Sequence, residues 1–299
     1  MIQIKNVSKS FSDLDALKDV NLNVTKGSIY GLLGSNGSGK TTLLKLLAGI
    51  YKENSGELKI CGENVFENIK VKSQMVFMPD SPYFFPQHTI KHMANYYKSI
   101  YKNWNSERYE KLQKVFNMDV DKKISSFSKG MQRQAAFWLT FSIMPNILIL
   151  DEPLDGLDPV IRQKIKSLII QEVADREMTV IIASHNLREI EDICDHVGIL
   201  HKGTLILEKD VDDLKSDVHK IQIAFKGTIP DGILSNTDIL HIEERGSVLL
   251  IIIRGTTAYV TDYFNQFNPV IIDIIPLTLE EIFIYEMEDV GYEIQNVIL

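Results

Sequence analysis

Gly34-Ser35-Asn36-Gly37-Ser38-Gly39-Lys40-Thr41-Thr42 sets the architecture of this chain. It matches the pattern G-x-x-x-x-G-K-[ST]. The apolar run Ile29-Tyr30-Gly31-Leu32-Leu33 before it reads as a buried strand, and Leu43-Leu44-Lys45-Leu46-Leu47 after it as the apolar face of a helix. A strand, a glycine-rich loop and a helix start, in that order, let successive backbone N–H groups curl inward toward phosphate oxygens. The helix dipole adds partial positive charge at the same place. In such a loop Lys40 supplies a full charge to the β- and γ-phosphates of a nucleotide, and Thr41 offers its hydroxyl to Mg²⁺.

A second stretch supplies the opposite charge. Ile147-Leu148-Ile149-Leu150 is an apolar strand that ends in Asp151-Glu152. Two carboxylates at the mouth of a buried strand are unfavourable unless they serve something. Asp151 suits the water shell of Mg²⁺, and Glu152 suits taking a proton from a water that attacks the γ-phosphate.

The organisation between these stretches is an α/β one. Ile2 to Val7 and Leu22 to Val24 read as strands around a turn at Ser12-Asp13, Leu58 to Cys61 as a strand between turns, and Gln74 to Met78 as a strand ended by Pro79. From His88 to about Ala136 the pattern is helical and rich in aromatics. Ile161 to Ala174 reads as a helix and Val180 to Ala183 as an apolar strand. Apolar strands alternating with helices indicate a parallel sheet covered on both faces.

The bulk numbers narrow the class. A chain of 299 residues with 44% hydrophobic and 24% charged residues is an ordinary globular protein of one large or two smaller domains. Its longest apolar runs fall well short of the ~20 residues of a membrane helix. No secretory leader is read at Met1-Ile2-Gln3-Ile4-Lys5, which enters a strand directly. Cys61 and Cys194 lack metal-like spacing and are expected to be reduced core thiols of a cytosolic protein. A net charge of −8 argues against a nucleic-acid partner. That charge is concentrated: residues 217–299 hold 13 Asp/Glu against 4 Lys/Arg. There the pattern changes to short strands (Ile221 to Phe225, Ile239 to Ile242, Val248 to Ile253, Val270 to Ile275) with helices at Tyr259 to Phe267 and Leu279 to Met287. The expected domains are therefore 1–215, with a helical subdomain over about 88–140, and a small acidic α+β domain over 216–299.

Residues 2–215 resemble the ATPase subunit of an ABC (ATP-binding cassette) transporter, with family-like motifs in family order. Gly34 to Thr42 is similar to Walker A, and Asp151 and Glu152 to the Walker B aspartate and the catalytic glutamate. Asp155-Gly156-Leu157-Asp158 resembles the D-loop, His185 the switch histidine, and Phe127-Ser128-Lys129-Gly130-Met131 the signature motif. Phe11 stands where the family places an aromatic against adenine. The resemblance implies a RecA-like parallel core with antiparallel and helical subdomains. It also implies ATP and Mg²⁺ as substrate and cofactor. The resemblance further implies that two copies sandwich two nucleotides, with the Walker A of one facing the signature Ser128 and Gly130 and the Asp158 of the other. By the same resemblance, separate transmembrane subunits are expected as further partners, with the chain at the cytoplasmic face of the membrane.

Two positions depart from the family pattern. Lys129 stands where the signature commonly has Gly; it is either a solvated helix residue or a cation near the partner's nucleotide. Asp80, in Phe77-Met78-Pro79-Asp80, stands where the family usually has Gln. Asp80 is expected on the metal side, with docking toward the membrane partner as the alternative. Tyr83-Phe84-Phe85-Pro86 is either core of the helical lobe or a set of exposed docking anchors.

The tail Leu277-Thr278-Leu279-Glu280-Glu281-Ile282-Phe283 is similar to that of bacterial ABC-2-type exporter ATPases. These include exporters of amphipathic and antimicrobial peptides such as phenol-soluble modulins. An importer ATPase with a regulatory tail is the alternative. A soluble ABC ATPase of ribosomes or DNA would bring a second cassette or a long coiled coil, and neither is present.

Overall fold

In the computed structural model the residues described are 1–289 except 228, 231, 237 and 247. The part of the expected second domain over 290–299 lies outside them. The chain divides into two compact units, Met1–Glu208 and Lys209 onward.

The first unit opens with a hairpin of β1 (Ile2–Phe11) and β2 (Leu14–Val24), then β3 (Ile29–Leu33) and α1 (Lys40–Leu47). β4 (Ser55–Ile60), the short β5 (Glu63–Asn64) and α2 (Ile69–Lys72) lead to β6 (Met75–Met78). Three helices follow, α3 (Ile90–Ile100), α4 (Ser106–Phe116) and α5 (Lys129–Ile143). β7 (Ile147–Asp151), α6 (Pro159–Arg176), β8 (Thr179–Ser184), β9 (His196–His201) and β10 (Thr204–Asp210) complete it.

The core sheet runs β10-β9-β3-β8-β7-β6, with β3, β6, β7, β8 and β9 mutually parallel. β3, β7 and β8 are buried at every residue. That is why they read as unbroken apolar runs rather than alternating ones. All three end on the same edge, so the loop after Leu33, the Asp151-Glu152 pair and His185 are delivered to one side of the sheet. An antiparallel sheet β2-β1-β4-β5 packs beside it.

The helical segment is held by Trp138 of α5, which is fully buried. Its ring stacks on Tyr109 at 4.8 Å and Phe116 at 6.3 Å, and its Nε1 donates to the Tyr109 carbonyl at 2.9 Å. A ring so buried is worth about 3–5 kcal/mol over Ala. The polar handle is satisfied at the same time, as a buried indole requires.

The second unit carries α7 (Val211–Asp217), β11 (Val218–Ala224), β12 (Ile239–Arg245), β13 (Val248–Arg254), α8 (Thr257–Asn265), β14 (Ile271–Ile275) and α9 (Leu279–Asp289). Its strands form an antiparallel sheet in the order β12-β13-β11-β14. Ile221, Ile223, Ile251 and Ile253 of the sheet pack with Val260 and Phe264 of α8 in a core of its own. The boundary lies several residues before the expected 215/216. Composition marks where the acidic residues begin, but α7 packs with β11 and α9 and so belongs to the second unit. A chain cut after Asp210 keeps β10 whole, including Glu208, which accepts from the Tyr30 hydroxyl at 3.3 Å. We expect that fragment to be soluble and to melt in one cooperative transition by calorimetry; insolubility beside a soluble full chain would mean that the two units fold as one.

Of the two cysteines, Cys194 is buried as expected, and burial raises its thiol pKa far above the usual value. Cys61 corrects the expectation: it is an exposed free thiol in the turn between β4 and β5, at a φ of 52°. Its strand neighbour Ile60 takes the inward position, and the turn sends Cys61 out.

Candidate nucleotide site

The loop from Gly34 to Gly39 wraps the start of α1, and its first and last glycines are there for space. A Cβ on Gly34 would come within 2.3 Å of the Leu200 carbonyl oxygen, and one on Gly39 within 2.6 Å of that of Ala16. Gly39 is also at a φ of 110°, which L side chains avoid. The loop is thus clamped between the β1–β2 hairpin and the end of β9.

Beside it lies a cavity of about 770 Å³, walled by Asn36 to Thr42 on one side and by Asp80, Asp151 and Glu152 on another. Lys40 is only 7% exposed at its side chain. Its ammonium donates to the carbonyls of Gly34 at 2.6 Å and Ser35 at 3.2 Å, and lies 3.5 Å from Glu152 Oε1. Burial pushes its pKa down, and the carboxylates of Glu152 and Asp151 pull it back up. Thr41 Oγ1 donates to Asp151 Oδ2 at 2.8 Å.

Glu152 is held in an uncommon backbone state, at a φ of 45°, with its N–H donating to the Ala183 carbonyl at 2.9 Å. Left-handed backbone at a non-glycine residue costs about 1–3 kcal/mol and persists where the surroundings enforce it. Here it turns the carboxylate toward β8. Oε2 accepts from the His185 backbone N–H at 3.2 Å and lies 2.9 Å from His185 Nδ1. An ionised carboxylate only accepts, so Nδ1 carries the proton in that pair. Lys40, Glu152 and His185, from three different segments, therefore form one connected group.

The residues present fit a divalent cation. Asp151 Oδ1 is buried without a hydrogen-bond partner. Burial, with Glu152 and Asp80 nearby, raises the pKa of that carboxyl, against the lowering effect of the Thr41 hydroxyl. A hydroxyl, one carboxylate and phosphate oxygens are the kind of donor set that suits Mg²⁺. Among the described residues no group of three or more His, Cys, Asp or Glu is arranged to hold a metal ion on its own.

Other expected residues lie elsewhere. Ser128 and Gly130 sit at the start of α5, where Ser128 Oγ caps the helix by accepting from the Met131 N–H at 3.3 Å. Asp158 caps α6, its Oδ1 accepting from Val160 and Ile161 at 3.1 and 3.0 Å. Neither segment lines the cavity beside Lys40. Phe11 does not line it either. It ends β1 with its ring edge-on to Tyr51 at 5.2 Å, and that wall is formed by Asp13 to Ala16 of the same hairpin. Lys129 is exposed on the first residue of α5. Tyr83 and Phe85 are exposed rather than core, beside a second cavity of about 210 Å³ lined by Met78, Phe84, Tyr97 and Tyr101.

Three features were not foreseen from the sequence. Lys18 and Lys202 add cations to the cavity wall. Lys202 stands in the β9–β10 turn, whose Gly203 N–H donates to the Ser38 carbonyl; the Lys-Gly pair between two apolar alternations was the available signal. Arg133 of α5 pairs with Asp80 across 2.8 Å, and no local pattern announces it.

Residues 17–155 match the ABC transporter family. Over 284 residues the chain is 32% identical to the ABC transporter ATP-binding protein YtrB of Bacillus subtilis (strain 168), covering 95% of this chain and 97% of that one. The chain belongs to the ABC transporter ATP-binding family. This ABC subunit is also 33% identical over 218 residues to the bacitracin transport ATP-binding protein BcrA of Bacillus licheniformis, covering 72% of this chain and 71% of the relative. Among solved structures it is similar to an ATP-binding subunit of an ABC transporter, with a TM-score of 0.66, 25% identity, and coverage of 72% of this chain and 92% of that one. As a member of the family, the ABC subunit is an ATPase whose hydrolysis is coupled to transport. No described helix of this ABC subunit is long and apolar enough to cross a membrane.

Proposed function

We propose that this ABC ATPase hydrolyses ATP at the Lys40–Glu152–His185 group and powers the export of an amphipathic or antibiotic peptide through separate transmembrane subunits. The observation that carries the reading is the convergence of Lys40, Thr41, Asp151, Glu152 and His185 on one sheet edge. Gly34, Ser35, Asn36, Gly37, Ser38, Gly39 and Thr42 supply the phosphate-facing loop, and Asp13 to Ala16 of the β1–β2 hairpin line the cavity on another side.

Thr41 and Asp151 would hold Mg²⁺, which when bound withdraws charge from the phosphate oxygens. Lys40 exchanges its hold on the Gly34 and Ser35 carbonyls for phosphate oxygens. Glu152 orients the attacking water and takes its proton. His185 keeps the Glu152 carboxylate in place.

Ser128, Gly130 and Asp158 lie outside the cavity of their own chain, which supports their serving the nucleotide of a second copy. The exposed Tyr83 and Phe85 suit docking of a transmembrane partner, which supports a position at the cytoplasmic face of a membrane. The bacitracin relative supports an antibiotic-peptide cargo.

The test has two parts. The purified chain should hydrolyse ATP with Mg²⁺ and lose that activity in excess chelator, regaining it when Mg²⁺ is restored. Co-expressed with its transmembrane partners in vesicles, it should move a labelled amphipathic peptide to the side opposite the ATP. Movement toward the ATP side would establish an importer instead.

A further inference from the structure

We propose that Arg133 is a positioning residue which joins the loop after β6, the turn after Glu152 and the start of α5 into one body, with Asp80 as its anionic partner. This rests on the reading of Glu152 and Ser128–Gly130 given above.

The guanidinium reaches two segments at once. Its Nη1 donates to the Asp155 carbonyl, and its Nη2 to the Asp80 carbonyl and, at 2.8 Å, to Asp80 Oδ1. Both segments belong to the nucleotide side. Asp80 lines the cavity with Lys40 and Glu152. Asp155 is three residues beyond Glu152, and its N–H donates to the Glu152 carbonyl at 3.4 Å.

The third segment is the helix that bears Arg133. α5 begins at the Ser128 cap, and a Cβ on Gly130 would come within 3.3 Å of the Gly156 carbonyl oxygen. The helix start and the turn after Glu152 are therefore already in contact, and Arg133 lies one turn further along. A planar fork with donors fixed in direction holds acceptors on two segments in one geometry; an ammonium on a flexible stem can reach them but does not fix their mutual orientation.

Solvent exposure distinguishes the two partners. The Arg133 side chain is 11% exposed, that of Asp80 55%. Arg133 is withdrawn from water and depends on its acceptors. Asp80 remains solvated, so its charge can be removed with little damage to folding. Any displacement of α5 toward a second copy must then carry Asp80 and the Glu152 turn with it, or break these bonds. Arg133 thereby links the site that hydrolyses one nucleotide to the surface that touches another.

The experiment uses the full chain in four forms besides the parent: Arg133→Gln, Arg133→Lys, Asp80→Asn and the double variant Asp80→Asn with Arg133→Gln. ATP affinity is read by calorimetry, kcat and KM by phosphate release, and the Mg²⁺ midpoint by titration. Arg133→Gln should lower kcat by roughly tenfold while ATP affinity stays within about threefold, because the Walker A contacts are untouched. Arg133→Lys should recover part of the loss. The double variant should match Arg133→Gln alone, and the Mg²⁺ midpoint should not move.

Multiplied effects in the double variant overturn the proposal. So does a shift of the Mg²⁺ midpoint by Asp80→Asn alone, which would make Asp80 a metal-side residue. Equal losses of affinity and turnover in both Arg133 variants would reduce the residue to general stability and also overturn it. A parent chain with no ATPase activity contradicts the proposed function instead. In that case the coupling between Arg133 and Asp80 is still decided by whether their effects on Tm add.

Discussion

Glu152→Gln should keep ATP bound and lower turnover by roughly 10²–10⁴-fold, the loss that follows removal of a general base. Glutamine is nearly the same shape, so the left-handed backbone at Glu152 and its N–H bond to Ala183 are preserved. What disappears is the negative charge between Lys40 at 3.5 Å and His185 at 2.9 Å. Phosphate binding should not weaken, because the amide no longer competes for the Lys40 ammonium. The closed pair with ATP between two copies should accumulate, visible as a dimer by size-exclusion chromatography with ATP. Turnover within a few-fold of the parent would remove Glu152 from the mechanism.

Lys40→Ala should weaken ATP binding by roughly ten- to a hundred-fold, since a charge-assisted contact to phosphate is worth about 1.5–3 kcal/mol. The structure gives a second reason. The Lys40 ammonium is buried and offsets the charge of Glu152, whose side chain is only 16% exposed. Its loss leaves that carboxylate facing the phosphates uncompensated, with Asp151 close by. Lys40→Met, which keeps most of the volume, should fall as far. This would assign the loss to charge rather than to a hole in the loop. Calorimetric titration with ATP decides it; unchanged affinity would contradict the phosphate-loop reading.

Much of this protein is legible one segment at a time. The apolar runs at 29–33, 147–150 and 180–183 are strands because a strand buried on both faces leaves no polar position to break the run. β9 and β10 were harder to read. β9 carries His at both ends although it lies inside the sheet, and β10, with Glu208 and Lys209, is the edge strand; pairing with β3 identifies β9 as part of the core. The domain boundary shows the same limit, since acidic content marks a change in surface while packing of α7 sets the division. Cys61 was misjudged because hydrophobic residue type does not say which way a tight turn points.

The phosphate loop, the two carboxylates after β7 and the histidine after β8 are all written in the order of residues. Each follows from a local rule: glycine where the backbone must curl, an acid where a buried strand opens to solvent. That His185 grips Glu152, that Lys40 is caged by its own loop, and that Asp80 is held by Arg133, 53 residues away in the chain, follow from folding alone. Those pairings depend on parallel strands ending together at one edge and on a helix laid across two loops. Proximity of that kind comes from packing distant segments around a common core, and no spacing along the chain encodes it.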